Sequence, residues 1–537
     1  MTDVAATRFD LIPAVACMLV MVVVSADLFG MPIATAALSK EFETNAAMVQ
    51  TAVAGFSLIF AGLCILGGKL GDIYGKKAVF RLGLLLYAVS SAITMLAPSM
   101  PVLILSFAVI RAVAVALAVP ASVALIVANY RDEQQRGNAF SIYGIGAMVA
   151  GIVAPTLMGF MAETVTWRVH FALDVLITLA GWWLAGRLAE TEKVKTTIDY
   201  YGIVLAFLAI AAIVLGGMLG GTYGWWDMRR PFQLGDMQIN LLGLSPAAVC
   251  FMAGVVLTLV LIDHSYRSEE KGGTPLFSMR LFDNRLFGVA FVLAIVFFVL
   301  NGALPFVVPV FLQEAVGFDA SISGVVMMIF MAGSMIGSLG SGQLMQHLQS
   351  RTVMQLALAV IVAGLLWLFV ESTPNMTLLD AAPPMFVVGL GFGVVVAQIP
   401  NITLSTLPDE LQGEGAGLSE TAKEAGVGLG TAVVASVMFG LAIGGTVDKV
   451  AQQVEVEITA EERAELILQI EDERVPADVE QLVGEKAPNF EGLTVDAYVE
   501  AFQMTLGLLI GIVMLCLLIS SFIPRVTVEQ ERKGIPT

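Results

Sequence analysis

The sequence predicts an all-α polytopic membrane protein with fourteen transmembrane helices. Of its 537 residues, 57% are hydrophobic and only 14% are charged, and the mean hydropathy is +0.85. Soluble chains average about 45–50% apolar and about 25% charged residues. Fourteen crossings of about 20–25 residues use roughly 310 residues, so the rest forms loops. Because no large catalytic domain fits, we predict that the protein is not an enzyme.

Apolar runs along the chain give the predicted spans. Each is long enough to cross a hydrocarbon core of about 30 Å. No basic leader precedes the first run, so we interpret it as a retained helix and not as a signal peptide. The spans are 11–38, 46–70, 79–97, 102–128, 139–162, 169–189, 200–222, 241–263, 286–312, 320–343, 352–371, 380–407, 417–443 and 501–524.

Lysine and arginine are unevenly distributed between alternate loops, and this predicts the orientation. With the N-terminus inside, the inner loops hold about 18 of the 28 basic residues, whereas the short outer loops hold about four. Positively charged loops resist translocation. We therefore expect an N-in/C-in, multi-pass protein of the cell (inner or plasma) membrane.

The predicted outer segment 446–500 holds about 11 of the 17 net negative charges. Thr459 and Glu462 form a candidate capping box within it, and Thr494 begins a run that can continue into the last membrane helix. We expect a solvated acidic cap, with a partner-binding or substrate-handling role as the alternative. An acidic chain also lacks the basic footprint of a nucleic-acid-binding protein, so no nucleic-acid partner is expected.

The cysteines and histidines predict no metal site. The four cysteines lie singly in apolar runs, without the spacing of a zinc or redox motif. The three histidines, His170, His264 and His347, are also scattered singly, so a histidine-built metal centre is not expected.

Two segments 274 residues apart repeat one another. GGKLGDIYGKK ends the second helix and SGQLMQHLQSR ends the tenth, where Gly342, Leu344 and Arg351 stand in the positions of Gly68, Leu70 and Lys77. Repeated halves are typical of secondary transporters, whose substrate site lies between the repeats. The offset leaves room for two additional helices between two six-helix bundles.

The first of these segments is the most specific motif. Its glycines permit a tight turn between helices, and its acid lies beside several bases with which it can pair. It closely resembles the signature loop between helices two and three of the major facilitator superfamily, G-x-L-a-D-r-x-G-r-k. The alternative is an ordinary basic loop. The resemblance assigns the gating loop to Gly68, Leu70, Asp72, Gly75, Lys76 and Lys77.

Further motifs resemble the fourteen-helix drug:proton antiporter branch of that superfamily. Asp27 in SADLFGMPIATAAL resembles its acidic first-helix motif, and Arg111 in RAVAVALAVPASVALI matches the arginine of its fourth-helix motif. LSETAKEAGVGLGTAVV resembles its thirteenth-helix pattern and adds the acids Glu420 and Glu424. The fifth-helix antiporter motif is matched by Gly151, Ala154, Pro155 and Gly159.

Membrane depth independently singles out several of these charges. A charge near the bilayer centre costs at least about 2.5–3.5 kcal/mol, so it usually faces a cavity or a partner. At 1.5 Å per residue, Asp27 lies roughly 24 Å from the inner end of helix one, and Arg111 roughly 13 Å from the outer end of helix four. These depths agree, so the two could pair. Asp174, in the outer third of helix six, is either a coupling residue or a hydrogen-bonded structural acid.

Other polar groups fall within the later helices. Glu420, Lys423 and Glu424 occupy neighbouring helical positions, so they are coupling candidates or a self-neutralising cluster at the membrane edge. Cavity candidates are Asn301 in helix nine and Gln398 and Asn401 in helix twelve, with inter-helix hydrogen bonding as the alternative.

The resemblance implies a major facilitator fold and proton-coupled efflux of amphipathic or lipophilic compounds by alternating access, multidrug export included. It implies no cofactor beyond the proton gradient, and as partners the small substrate or lipid, protons and membrane lipids around a monomer. Export of an endogenous lipid, siderophore or envelope metabolite is the alternative, and a membrane sensor or enzyme a remote one. The predicted division is an N-terminal bundle 1–190, two additional helices 191–285, a C-terminal bundle 286–445 and 501–524, the acidic segment 446–500 and a cytoplasmic tail 525–537.

Overall fold

The computed structural model describes residues 10–130, 133–190, 193, 199–226, 232–234, 237–239, 243–404, 407–454, 459, 462–463, 466–467 and 490–523. Within these residues, fourteen helices are long and apolar enough to cross a membrane, which confirms the predicted class. We number them α1 (Leu11–Glu41), α2 (Met48–Tyr74), α3 (Lys76–Met95), α4 (Met100–Asn129), α5 (Gln135–Thr164), α6 (Arg168–Ala185), α7 (Tyr200–Gly221), α8 (Pro246–Glu270), α9 (Arg285–Glu314), α10 (Ala320–Leu344), α11 (Ser350–Glu371), α12 (Leu378–Pro400), α13 (Glu414–Gln453) and α14 (Gly492–Ser520).

The helices pack as two groups with a pair beside them. In the first half, α1 packs on α4, α5 and α6, and α3 packs on α4 and α6. In the second half, α12 packs on α10 and α11, while α9 packs on α13 and α14. The additional helices α7 and α8 pack on one another, and α7 lies against both α2 and α13. The pair therefore flanks the junction of the two halves.

The halves meet along α5 with α10 and along α2 with α13. Following the predicted orientation, we call the side with the α2–α3 turn the inner side and the opposite side the outer side. Near the outer side, Gln50 Nε2 donates to the carbonyl oxygens of Thr431 and Ala432, both at 2.9 Å. There too, the backbone N–H of Ser321 donates to Glu163 Oε1 at 2.7 Å. These contacts close the outer side.

Toward the inner side, the glycines of α5 and α10 have open space around them. A Cβ added to Gly144 in α5, or to Gly340 or Gly342 in α10, would meet no atom within 4 Å. At the outer ends of the same helices, a Cβ on Gly159 would lie 2.5 Å from the carbonyl oxygen of Ala320. The two helices are thus packed closely at their outer ends, with open space around these glycines at their inner ends.

The structure adds three details to the predicted fold. A small antiparallel hairpin, β1 (Phe232–Leu234) and β2 (Met237–Ile239), lies between α7 and α8. The extensions of α13 and α14 beyond the predicted spans pack on one another, with Lys449 Nζ 2.8 Å from Glu500 Oε1. In the acidic segment, most of which lies outside the described residues, Thr459 and Glu462 form the reciprocal hydrogen bonds of a capping box.

Candidate functional site

Five buried polar residues of the first half converge between α1, α3, α4 and α6. We call Asp27, Tyr87, Arg111, His170 and Asp174 the buried charge cluster. Each is at most 4% exposed, and Arg111 is fully buried. Because burying an ionised group without a partner is costly, the contacts within this cluster determine its charge.

Arg111 is the centre of the cluster. Its Nη1 pairs with Asp27 Oδ2 and lies 3.5 Å from Asp174 Oδ2. Its Nη2 donates to Ser91 Oγ at 2.8 Å, and its Nε donates to Ser90 Oγ at 3.4 Å. The structure thus brings together the pair whose depths agreed in the sequence, and it adds Asp174 to that pair.

The surroundings of the guanidinium group are aromatic. The Arg111 Cζ atom lies over the rings of Tyr87, Phe107 and Phe171, 4.8–4.9 Å from their centroids. Such cation–π contacts favour the charged form in a desolvated site. Arg111 ends a π-helical stretch, Leu105–Arg111, within α4, and π-helical turns are frequent at functional sites.

Sequence reasoning missed His170 and Tyr87. The Tyr87 hydroxyl donates to Asp27 Oδ2. His170 Nε2 lies 3.2 Å from Asp27 Oδ1 and 3.9 Å from Asp174 Oδ2. One signal was available: residues four apart share a helix face, so His170 accompanies Asp174. These two and Asp27 offer ligand atoms within 4.8 Å of one another, but the positive charge of Arg111 among them would repel a metal cation.

The charges of the cluster balance only when it holds an additional proton. Arg111 is always positive, and two ionised aspartates would supply two negative charges. One further proton, on His170 or on a carboxyl group, makes the cluster neutral. Asp174 Oδ2 has no hydrogen-bond partner among the described residues, as expected for the acid that Arg111 holds less closely. The geometry therefore gathers two carboxyl groups and an imidazole group whose net charge with Arg111 depends on a single proton.

A second charged group lies on α13, in the second half. Lys423 Nζ is 2.6 Å from Glu420 Oε1 and 3.5 Å from Glu424 Oε1. Glu424 is buried, while Glu420 and Lys423 are partly exposed. Glu424 precedes Thr431, which contacts Gln50 near the outer side, by seven residues, or about 10 Å of helix. The group therefore lies deeper toward the inner side, and its three members pair with one another as their spacing predicted.

Two of the three predicted cavity amides have unpaired oxygens. Asn301 Oδ1 and Gln398 Oε1 are buried, and neither has a hydrogen-bond partner among the described residues. Because buried polar atoms are normally satisfied, these two oxygens stand out as acceptors without a donor in this conformation. The side chain of Asn401 lies outside the described residues.

The gating loop contacts the end of α6. Gly75 has φ +102°, a backbone conformation that favours glycine, and a Cβ there would lie 2.8 Å from Glu190 Oε1. The Lys77 backbone N–H donates to Glu190 Oε1 at 3.1 Å, and Lys77 Nζ donates to the carbonyl oxygen of Leu188 at 2.7 Å. Asp72 lies 3.4 Å from Lys76 on the inner surface. Gly68 and Leu70 belong to the adjoining last turns of α2.

The antiporter motif forms the contact between α5 and α10. A Cβ on Gly151 would lie 2.6 Å from the Met331 side chain. A Cβ on Gly324 of α10 would lie 2.5 Å from the carbonyl oxygen of Pro155. Together with the contact of Gly159, these small residues let the two helices approach closely. Ala154 is buried on the same helix.

Several curated bacterial transporters are similar to this chain. The probable actinorhodin transporter of Streptomyces coelicolor is 22% identical over 422 residues, which cover 76% of this chain and 69% of that protein. Multidrug resistance protein 3 of Bacillus subtilis is 26% identical over 383 residues, or 71% of this chain and 70% of that protein. The tetracenomycin C resistance and export protein of Streptomyces glaucescens is 27% identical over 421 residues, covering 76% and 72%.

Solved transporter structures share the fold. A bacterial homologue of the human lysosomal transporter Spinster, in an inward-facing conformation, matches with a TM-score of 0.58 at 13% identity, covering 96% of this chain and 98% of that one. A D-xylose–proton symporter matches with a TM-score of 0.56 at 12% identity, covering 98% and 99%.

A sequence model described as Major Facilitator Superfamily matches twice, over residues 15–199 and 198–431. The two matches together span more than half of the chain, and the described structure has the fourteen predicted crossings. The family indicated by the motifs is thereby confirmed, together with a non-enzymatic, multi-pass plasma membrane protein, and the relatives named for multidrug and antibiotic resistance support the branch that the motifs indicated. The chain belongs to the Major Facilitator Superfamily of transporters.

Proposed function

We propose that this transporter exports amphipathic or lipophilic compounds in exchange for protons, by alternating access. The observation that carries the proposal is the buried charge cluster, in which two aspartates and a histidine surround one arginine. Binding or loss of a single proton changes the charge balance of this desolvated group, and that change is what coupling to a proton gradient requires. The transporter acts as a monomer and needs no nucleotide or other cofactor.

The cluster supports a simple cycle. When the cavity is open to the outer side, a proton enters and neutralises Asp27 or Asp174. The neutral acid holds Arg111 less tightly, so α1, α4 and α6 can shift relative to one another as the substrate leaves. When the cavity is open to the inner side, the proton is released and the ion pair with Arg111 forms again. Asp27, which pairs with Arg111 directly, is the proposed coupling residue.

The proposed substrate cavity lies between the halves. The unpaired amide oxygens of Asn301 and Gln398 can accept hydrogen bonds from a substrate. Glu424 can pair with a cationic group, because Lys423 is held closer to Glu420 than to Glu424. The relatives are named for antibiotics and for multidrug resistance, and these names support lipophilic drugs as the substrate class. Export of an endogenous lipid would use the same proton step.

The remaining motifs support the conformational step. In this arrangement, with the outer side closed, Asp72 pairs with its neighbour Lys76, and the proposal gives it a new partner across the halves in the opposite conformation. The close contact of α5 and α10 would then open at its outer end. Gly159 is proposed as the residue that permits the closed contact.

Transport in proteoliposomes tests the proposal. With an acidic lumen and a clamped membrane potential, tetraphenylphosphonium added outside should accumulate in the lumen, and protons should leave the lumen in step. A fluorescent lysophospholipid, offered in the same vesicles, distinguishes drug export from lipid export. Equal uptake with and without the pH gradient would contradict proton coupling.

A further inference from the structure

A separate apolar cavity of about 320 Å³ lies beside the junction of the two halves. Its walls come from α2, α7, α8, α9 and α13, and Phe277, Met279 and Phe282 of the segment between α8 and α9 also line it. Ile65 of α2, one of its lining residues, precedes the inner end of that helix by nine residues, or about 14 Å. The cavity therefore lies within the membrane, in its inner half.

The lining suits a neutral lipophilic group. None of the described residues that line the cavity is charged, and the walls are mainly isoleucine, leucine, phenylalanine and alanine. Its volume is at the lower end of the roughly 300–1,000 Å³ of ligand pockets, so it fits a ring system or an alkyl chain and not a large compound as a whole. Compounds that partition into the inner leaflet arrive at this depth without crossing water.

One polar group in the wall lacks a partner. Thr421 is 7% exposed, and its Oγ1 has no hydrogen-bond partner among the described residues. Most helical threonines satisfy their hydroxyl on the preceding turn; Thr258, in the same wall, donates to the carbonyl oxygen of Gly254 at 2.8 Å. Thr421 Oγ1 is itself buried, so its hydroxyl can donate to a carbonyl, amide or ether oxygen of a ligand when the side chain turns toward the cavity.

The same helix carries the charged group on α13. Thr421, Ala422 and Ala425 line the cavity, while Glu420 and Glu424 stand on adjacent positions of the same two turns. A ligand in the cavity therefore contacts the helix that also carries these charges and reaches Gln50 at the outer closure.

We propose that this cavity is a binding site for the neutral, lipophilic part of an amphipathic compound, with Thr421 as the hydrogen-bonding residue. The additional helices α7 and α8 give the transporter this site, since they form one of its walls. The proposal rests on the proposed export of lipophilic compounds and adds a site outside the cavity between the halves.

Photoaffinity labelling of the full chain in nanodiscs tests the site. The probes are an alkyl amide carrying a diazirine and the matching hydrocarbon without the amide. We expect labelling by both probes on the cavity faces of α7 and α13. Ala209→Trp, which fills the cavity from α7, should reduce it at least tenfold. Leu208→Trp is the matched control, because the Leu208 side chain is on the same helix but is 44% exposed, away from the cavity. This variant should leave labelling unchanged.

The hydroxyl is tested by an isosteric change that keeps the packing. Thr421→Val should weaken labelling by the amide probe about five- to tenfold, the value of one hydrogen bond, and leave the hydrocarbon probe unaffected. Thr258→Val removes a hydroxyl that is already satisfied, so it should affect neither probe.

Two results would overturn the proposal: labelling spread evenly over membrane-facing positions and insensitive to Ala209→Trp, or an equal effect of Thr258→Val and Thr421→Val. Labelling needs no pH gradient and no transport. Failure of the site is thereby distinguished from failure of proton coupling.

Discussion

Removal of Arg111 should destabilise the protein strongly, and removal of Asp27 in the same chain should restore part of the loss. Arg111 contacts two carboxylates and two serine hydroxyls while fully buried. Loss of one partner of a buried ion pair costs about 3–5 kcal/mol, because it leaves an uncompensated charge. Arg111→Met leaves two acids without a fixed cation. The double variant with Asp27→Asn leaves one acid, Asp174, beside His170.

The assay is a double-mutant cycle on the free energy of unfolding, measured by SDS-driven unfolding in mixed micelles. We expect Arg111→Met to cost about 3–5 kcal/mol, and the pair to show a coupling of about 2 kcal/mol. The cost should fall as the pH drops from about 8 to about 5, because the unpaired acids then take up protons.

The matched control is the exposed pair Arg168 and Glu41, whose side chains are 29% and 39% exposed. An exposed ion pair contributes about 0–1 kcal/mol. The coupling energy between Arg168→Met and Glu41→Gln should therefore be less than about 1 kcal/mol. Additive losses for Arg111→Met and Asp27→Asn would refute the pairing, and a cost independent of pH would refute the charge balance.

Three further predictions concern the moving parts and the orientation. Asp72→Asn should slow transport while leaving substrate affinity largely intact, because the loop lies away from the cavity; an equal loss of both in binding and transport assays would place it at the substrate. Gly159→Leu should weaken the outer closure and reduce transport by roughly tenfold or more, since even its Cβ would meet the Ala320 carbonyl at 2.5 Å, whereas Gly144→Leu, with free space, should be tolerated. A single cysteine at Lys193 should be protected from an impermeant label added to intact cells, whereas one at Glu462 should react with it. The reverse pattern would invert the topology.

The crossings could be predicted from the sequence because the bilayer imposes one simple requirement. A spanning segment must be apolar and must satisfy its own backbone hydrogen bonds, so hydropathy alone locates helices. The residues at which the helices end were less predictable. α13 and α14 continue past the membrane because their extensions pack on each other, and tertiary contacts of this kind leave little trace in hydropathy.

The site was predictable where depth could be counted. Asp27 and Arg111 were expected at similar depths, and they pair. His170 was missed, although its spacing from Asp174 placed both on one face of α6. Tyr87 was missed because a lone tyrosine in an apolar helix is usually a packing residue.

The apolar cavity beside the junction of the two halves could not have been predicted from the sequence. Its lining comes from five helices, and residues such as Ile65 and Ala209 are indistinguishable in sequence from those of any lipid-facing or core position. The unpaired hydroxyl of Thr421 is also a property of the assembled structure, because the sequence does not distinguish Thr421 from Thr258, whose hydroxyl is satisfied on the preceding turn.

The most direct test of the account is transport by Asp27→Asn in proteoliposomes with an imposed pH gradient and a clamped membrane potential. An amide imitates the protonated acid and cannot cycle. We therefore predict that tetraphenylphosphonium still equilibrates and exchanges across the membrane at near wild-type rates, and that it no longer accumulates when the lumen is acidic. If Asp27→Asn still concentrates the cation against its gradient, the coupling proton is carried elsewhere, and the central claim about the buried charge cluster is wrong.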